Sequence, residues 1–152
     1  MRLVQFLAAT AIVVTSLSGH AKTLHVAKWG VDDPTSGGTS QPFLTIGAAL
    51  MNAGRNDRIV VQPGIYEESL IIDAEGVKLE SVAGRHGTII DATGLGSNVV
   101  DIEATKVRLG KKGKGFTLRC DTGRDGVYID RNVDPSNVRV IQPDGGMWRR
   151  YH

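Results

Sequence analysis

The stretch GVKLESVAGRHGTIIDATG, starting at Gly76, lies over GFTLRCDTGRDGVYIDRNV, starting at Gly115, at a shift of 39 residues. Identities fall at Gly76/Gly115, Leu79/Leu118, Gly84/Gly123, Arg85/Arg124, Gly87/Gly126, Ile90/Ile129 and Asp91/Asp130, at turn glycines and apolar positions together. A unit of a few tens of residues cannot bury its own apolar face. It has to stack on its neighbours, so self-similarity at this scale points to an array architecture.

Half that shift also organises the apolar positions. One series runs through Val61, Leu79, Val100, Leu118 and Val140, at steps of 18, 21, 18 and 22. A second runs through Ile72, Ile90, Leu109 and Ile129, at steps of 18, 19 and 20. Each step is then expected to hold two short strands and their turns. The simplest stack of such units is a parallel β-solenoid, each strand hydrogen-bonded to its equivalent one turn on. The competing arrangement is an antiparallel sandwich, which short strands at close spacing also suggest. A sandwich, however, has no reason to repeat its sequence. Pro63 fixes φ and Gly64 tolerates a positive one, so VVQPGIYEESLIID reads as strand, corner and strand. Asp73 to Gly76 reads as a second tight corner.

Upstream, Asp32, Asp33, Pro34 and SGGTSQP form a loop. TIGAALMNAG (Thr45 to Gly54) then carries an N-cap threonine, Ile46, Ala49 and Leu50 on one face, and Gly54 as a stop. This helix is expected to cover the apolar end of the stack. The resulting division is an export signal over 1–21, a strand, loop and capping helix over 22–57, β coils over 58–141 and an irregular tail over 142–152. The signal is read from Arg2, the mostly apolar Leu3 to Leu17, and Gly19 and Ala21 at a cleavage site. Gln5, Thr10 and Thr15 interrupt that stretch, which falls short of the roughly 20 apolar residues of a membrane span. A secreted or periplasmic chain, free of the membrane after signal removal, is the expectation. In the tail, Pro143 and two glycines argue against a further strand, so the chain is expected to be the N-terminal part of something longer, or to plug its far end with Met147, Trp148 and Tyr151. Open strand edges there would allow end-to-end self-association.

A formal net charge of +2 gives no electrostatic case for nucleic acid. The lone Cys120 cannot form an internal disulfide and reads as an inert thiol.

LHVAKWGVDDPTSGGTSQPFLTIGAALMNAGRNDRIVVQPGIYEESLIID resembles the N-terminal cap and first turns of secreted right-handed parallel β-helix proteins of the pectin-lyase-like superfamily. The shared markers are the opening strand LHVA, the QPFLTI entry to a helix, the D-x-I-x-V strand start at Asp57 to Val61, and Pro63-Gly64-x-Tyr66 with Glu67 or Glu68. The resemblance spans Leu24 to Asp130. It implies an all-β, right-handed parallel β-helix with a short N-terminal capping helix; the tail adds the expectation that it is truncated at its C-terminus. It also implies extracellular polysaccharide as the partner. Members include lyases, hydrolases, esterases, epimerases and proteins without known activity, so the fold does not choose a reaction.

Among candidate site residues, Asp73, Asp91 and Asp130 directly follow Ile72, Ile90 and Ile129. In a regular coil Asp73 and Asp91 would lie in adjacent turns, and calcium is the cation that paired carboxylates accept. The plainer role of each is to bond its own turn backbone, and Gly110 interrupts the row. Arg85 and Arg124, each in a G-R-x-G corner, and Trp29, a candidate sugar-stacking ring, are the substrate-binding candidates; corner residues and cap packing are their plainer roles. The run KKGKG (Lys111 to Gly115) suits an acidic polysaccharide or a solvated turn, and lacks phosphate-loop spacing. No catalytic set can be assembled. The sequence therefore points to an exported β-helix protein that binds or acts on extracellular polysaccharide, a partial copy without independent catalysis. The alternative is a structural or interaction module, or a remnant, with no carbohydrate chemistry.

Overall fold

The computed structural model describes residues 20–141. Most of the expected export signal and the whole tail lie outside this range. The elements are β1 (Thr23–Val26), α1 (Ile46–Met51), β2 (Arg58–Val61), β3 (Gly64–Tyr66), β4 (Leu70–Ile72), β5 (Lys78–Ser81), β6 (Thr88–Asp91), β7 (Val100–Ile102), β8 (Arg108–Leu109), β9 (Thr117–Arg119), β10 (Val127–Ile129) and β11 (Arg139–Val140), with a 3-10 turn at Pro135–Asn137. They form three sheets: A, in the order β1-β2-β5-β8-β11; B, β3-β6-β9; and C, β4-β7-β10. Every pairing between these strands is parallel. The fold among the described residues is thus all-β with parallel strands, which sets aside the antiparallel sandwich. From β2 onward the chain visits A, B and C in turn, without a helical crossover.

This order corrects the expected repeat. Each circuit holds three strands, and its length is uneven: on sheet A, Arg58 pairs with Lys78, Lys78 with Arg108, and Arg108 with Arg139. The 39-residue match does not superpose stacked strands, because Leu79 lies on sheet A and Leu118 on B, while Ile90 lies on B and Ile129 on C. The two apolar series mix sheets for the same reason. A strand in any of the three sheets alternates buried apolar residues with outward-facing ones, some of them apolar too, such as Ile65 and Ile71, and many strands leave through a glycine or acidic turn. Units one sheet apart consequently look alike in sequence.

The inward residues meet in one core. Leu24, Ile59, Leu79, Leu109 and Val140 come from sheet A, Tyr66 and Ile90 from B, and Leu70, Ile72, Val100 and Ile102 from C. The corner into sheet A recurs with one backbone geometry, after α1 at Asn56 and after sheet C at Gly76 and Lys106, with φ of 65°, 75° and 59°. The Asn56 N–H donates to the Glu75 carbonyl and that of Gly76 to Thr105, so the corners stack as the strands do. Gly84 and Gly123, in the two G-R-x-G corners, share a left-handed φ (69° and 85°), but one corner joins A to B and the other B to C.

Helix α1 packs against β1, β2 and β4, burying Ile46, Ala49 and Leu50. Thr45 Oγ1 accepts from the Ala48 N–H at 3.1 Å. The helix ends at Asn52, before the expected Gly54. Its first N–H groups are also met from outside the helix, since Glu68 accepts from Ile46 and Gly47 at 2.9 and 2.8 Å. Asp32 holds the entry by accepting from Leu44, Thr45 and the Thr45 hydroxyl. Replacing Glu68 by alanine will remove two charge-assisted bonds from a helix end that water reaches only in part. The expected loss is about 1–2 kcal/mol in urea unfolding. Glu68→Gln, which keeps one acceptor oxygen, should recover about half.

Candidate functional site

The outward face of sheet A carries a row of cations. Four of its strands open on the same short pattern, Asp57-Arg58-Ile59, Val77-Lys78-Leu79, Val107-Arg108-Leu109 and Val138-Arg139-Val140. The third residue of each triplet points into the core. Alternation along a strand then sends the cation outward. Register places Arg58 beside Lys78, Lys78 beside Arg108, and Arg108 beside Arg139. The row therefore crosses four adjacent strands at the interstrand spacing of about 4.8 Å.

One acid interrupts this face. Glu80, two residues beyond Lys78 on the same side of β5, has a carboxylate only 1% exposed. Arg58 donates to its Oε2 through Nη2 at 2.8 Å and Nε at 3.2 Å. Arg108 Nη2 donates to the other oxygen. Burial alone would push the carboxyl up, but the hydrogen bonds and charges of Arg58 and Arg108 outweigh it and hold the group below its usual range. The two arginine side chains remain 42% and 31% exposed, although Arg108 Nε is itself buried without a partner. Lys78 and Arg139 form no ion pair among the described residues.

The corner from A to B adds to the same flank. Gly110 and Gly113, with φ of 80° and 74°, let the KKGKG run fold against β5. There Ser81 donates its N–H to the Lys114 carbonyl (3.2 Å) and its hydroxyl to Gly115 (2.5 Å). The Arg85 corner is tied to the following strand by the Thr117 hydroxyl, which donates to the Arg85 carbonyl at 2.8 Å. Across segments 23–31, 58–65, 78–89, 108–117 and 139–141, Glu80 is the only acid. Three carboxylates line the corner that leaves sheet C for sheet A. Asp73, Glu103 and Asp130 follow the in-register trio Ile72, Ile102 and Ile129, and the Glu103 and Asp130 N–H groups donate to the Ile72 and Ile102 carbonyls.

The residues singled out from sequence are distributed as follows. Asp73 and Asp91 do not form the expected pair of adjacent turns: Asp73 leaves sheet C and Asp91 ends a strand of sheet B. Asp91 accepts from the Thr93 N–H at 3.0 Å and lies 3.6 Å from Arg119. Thr93, aided by Arg119, holds its carboxyl below the usual range. The residue in register beyond Asp73 is Glu103, which the uneven circuit lengths conceal. Among the described residues no group of three or more His, Cys, Asp or Glu side chains is gathered to hold a metal ion.

Arg85 is exposed on the basic flank, its Nε donating to His86 Nε2 at 3.1 Å. Arg124 is exposed on a different corner, away from Arg85 in the circuit. Trp29 is 65% exposed rather than packed in the cap. It follows Lys28, whose ammonium stands 5.1 Å over the ring of the buried Tyr66. Burial and the neighbouring Glu68 push the Tyr66 hydroxyl up to about 12. Sequence reasoning missed Arg58, Lys78, Arg108 and Arg139. The signal that finds them is a hydrophobic or acidic residue, a cation and an aliphatic residue, recurring at 57, 77, 107 and 138.

Comparison of the chain with family models, with curated proteins and with solved structures finds no match.

Proposed function

We propose that this chain is an exported, right-handed parallel β-helix protein of the pectin-lyase-like kind, and that it holds an acidic extracellular polysaccharide on the outer face of sheet A. The observation that carries this reading is the in-register row Arg58, Lys78, Arg108 and Arg139 on a flank whose single acid is already neutralised. The three-strand circuit of parallel sheets supports the β-helix. A linear polymer with a carboxylate on successive sugars presents charge as a line, and a line of cations across stacked strands is its electrostatic complement. The lysine corner and Arg85 widen the positive field, and Trp29 supplies an exposed ring on the same flank. In this reading the chain binds polymer and supplies no reaction of its own.

The alternative, a scaffold module without carbohydrate chemistry, draws support from Glu80. It already engages two of the row's cations and gives them a structural role. The two readings separate in one titration. A Lys78→Gln/Arg139→Gln variant spares Glu80 and its partners. A contact between unit charges in water is worth about 1 kcal/mol, so losing two weakens polygalacturonate or alginate binding roughly 30-fold. Binding should also fade as salt rises from about 0.1 M to about 1 M, where the Debye length shrinks from roughly 10 to 3 Å. A neutral glucan should not bind. Equal affinity of the wild type and the variant, or no binding of either acidic polymer, sinks the reading. Unsaturated product or new reducing ends would show that the chain also cleaves what it holds.

A further inference from the structure

We infer that the basic face of sheet A also docks a second copy of this chain, through that copy's carboxylate row Asp73, Glu103 and Asp130. The two rows are opposite in charge, one on the outer face of sheet A and the other along the corner that leads from sheet C into it. Each row crosses consecutive parallel strands, so both repeat at the same interstrand distance of about 4.8 Å. A second copy laid alongside the first, its stack direction aligned, meets cation with carboxylate at successive rungs. Two members of each row are uncommitted: among the described residues neither Lys78 and Arg139 nor Asp73 and Glu103 take part in an ion pair, while Arg58 and Arg108 share Glu80. Asp73, Glu103 and Arg139 are exposed as well.

Because the surface used on one copy differs from the surface used on the next, the contact is heterologous. It leaves a free basic face at one end and a free acidic row at the other, and so extends into open rows of molecules. A polyanion bound to sheet A would occupy the same face and disperse these rows. The inference stands on charge and spacing and does not require the polysaccharide reading.

The test is sedimentation velocity of the purified wild-type chain and two variants. One, Lys78→Gln/Arg139→Gln, blunts the basic face; the other, Asp73→Asn/Glu103→Gln, blunts the acidic row. At about 0.02 M salt, where the Debye length exceeds roughly 20 Å, the wild type should sediment faster as its concentration rises. It should return to monomer at about 0.5 M salt. Each variant alone should remain monomeric. Mixed in equal amounts they should form a dimer and nothing larger, since each retains the surface that the other lacks. A wild type that stays monomeric at low salt, variants that associate as the wild type does, or a mixture that stays monomeric overturns the inference. A monomeric wild type that binds polygalacturonate overturns this inference and leaves the proposed function standing. Self-association in a chain that ignores acidic polymers does the reverse.

Discussion

Removing both arginines that hold Glu80, in an Arg58→Ala/Arg108→Ala variant, should lower unfolding stability by about 3 kcal/mol at neutral pH. The Glu80 carboxylate is nearly inaccessible, while its partners keep contact with water. Deleting the partners strands a charge out of solvent; deleting the charge leaves two cations whose side chains already reach water in part. Glu80→Met should therefore cost only about 1 kcal/mol or less, because replacing a buried charge by an apolar side chain of similar volume is often neutral.

The pH dependence identifies the cause. In the wild type the folded carboxyl lies below its unfolded value. Its contribution is thus present above the unfolded value and lost as pH falls through the lower, folded one. Without the arginines, burial acts alone and raises the folded value, which reverses the sign: stability is then lost as pH rises through it. The difference between wild type and double variant should be largest near pH 7 and shrink toward about pH 3.5, as read from urea unfolding at both pH values. An equal loss at both would assign the effect to the packing of the arginine stems.

How much of this was legible from sequence depends on whether a feature is local. The helix is local. Thr45 accepts from Ala48 and the Ile46, Ala49 and Leu50 face is buried, as the spacing predicts. The Pro63-Gly64 corner and the turn at Gly76 are likewise fixed by residues next to one another. At the equivalent turn near Thr105, Lys106 takes the left-handed conformation with no glycine to announce it. It stands against the stacked Gly76 corner, whose N–H donates to the Thr105 carbonyl, and pairs with Glu75 at 2.6 Å. What lies above what is not local. It depends on loops of unequal length, and the 39-residue match misled because the three sheets share one inward and outward alphabet. The basic row and the row containing Asp73 and Glu103 exist only in the register, so they were invisible while Asp73 was aligned with Asp91.

The same difference in register makes the core substitutions Leu79→Ala and Leu118→Ala unequal. The 39-residue match treats these leucines as equivalents, and equivalence would give them equal effects. In the fold, Leu79 is fully buried in β5, with β2 on one side and β8 on the other. Leu118 lies in β9, the last strand of sheet B among the described residues, and is only partly buried. Truncating Leu79 loses the transfer energy of a fully buried side chain and leaves a cavity that two flanking strands cannot close, about 3–4 kcal/mol. Truncating Leu118 forfeits roughly half of a transfer term of about 1.5–3 kcal/mol, with little cavity cost because its surroundings can settle inward. Denaturant unfolding of the two variants should show midpoints well separated at unchanged slope. Matching losses would mean that the two leucines occupy equivalent sites, and the three-sheet register would then be wrong.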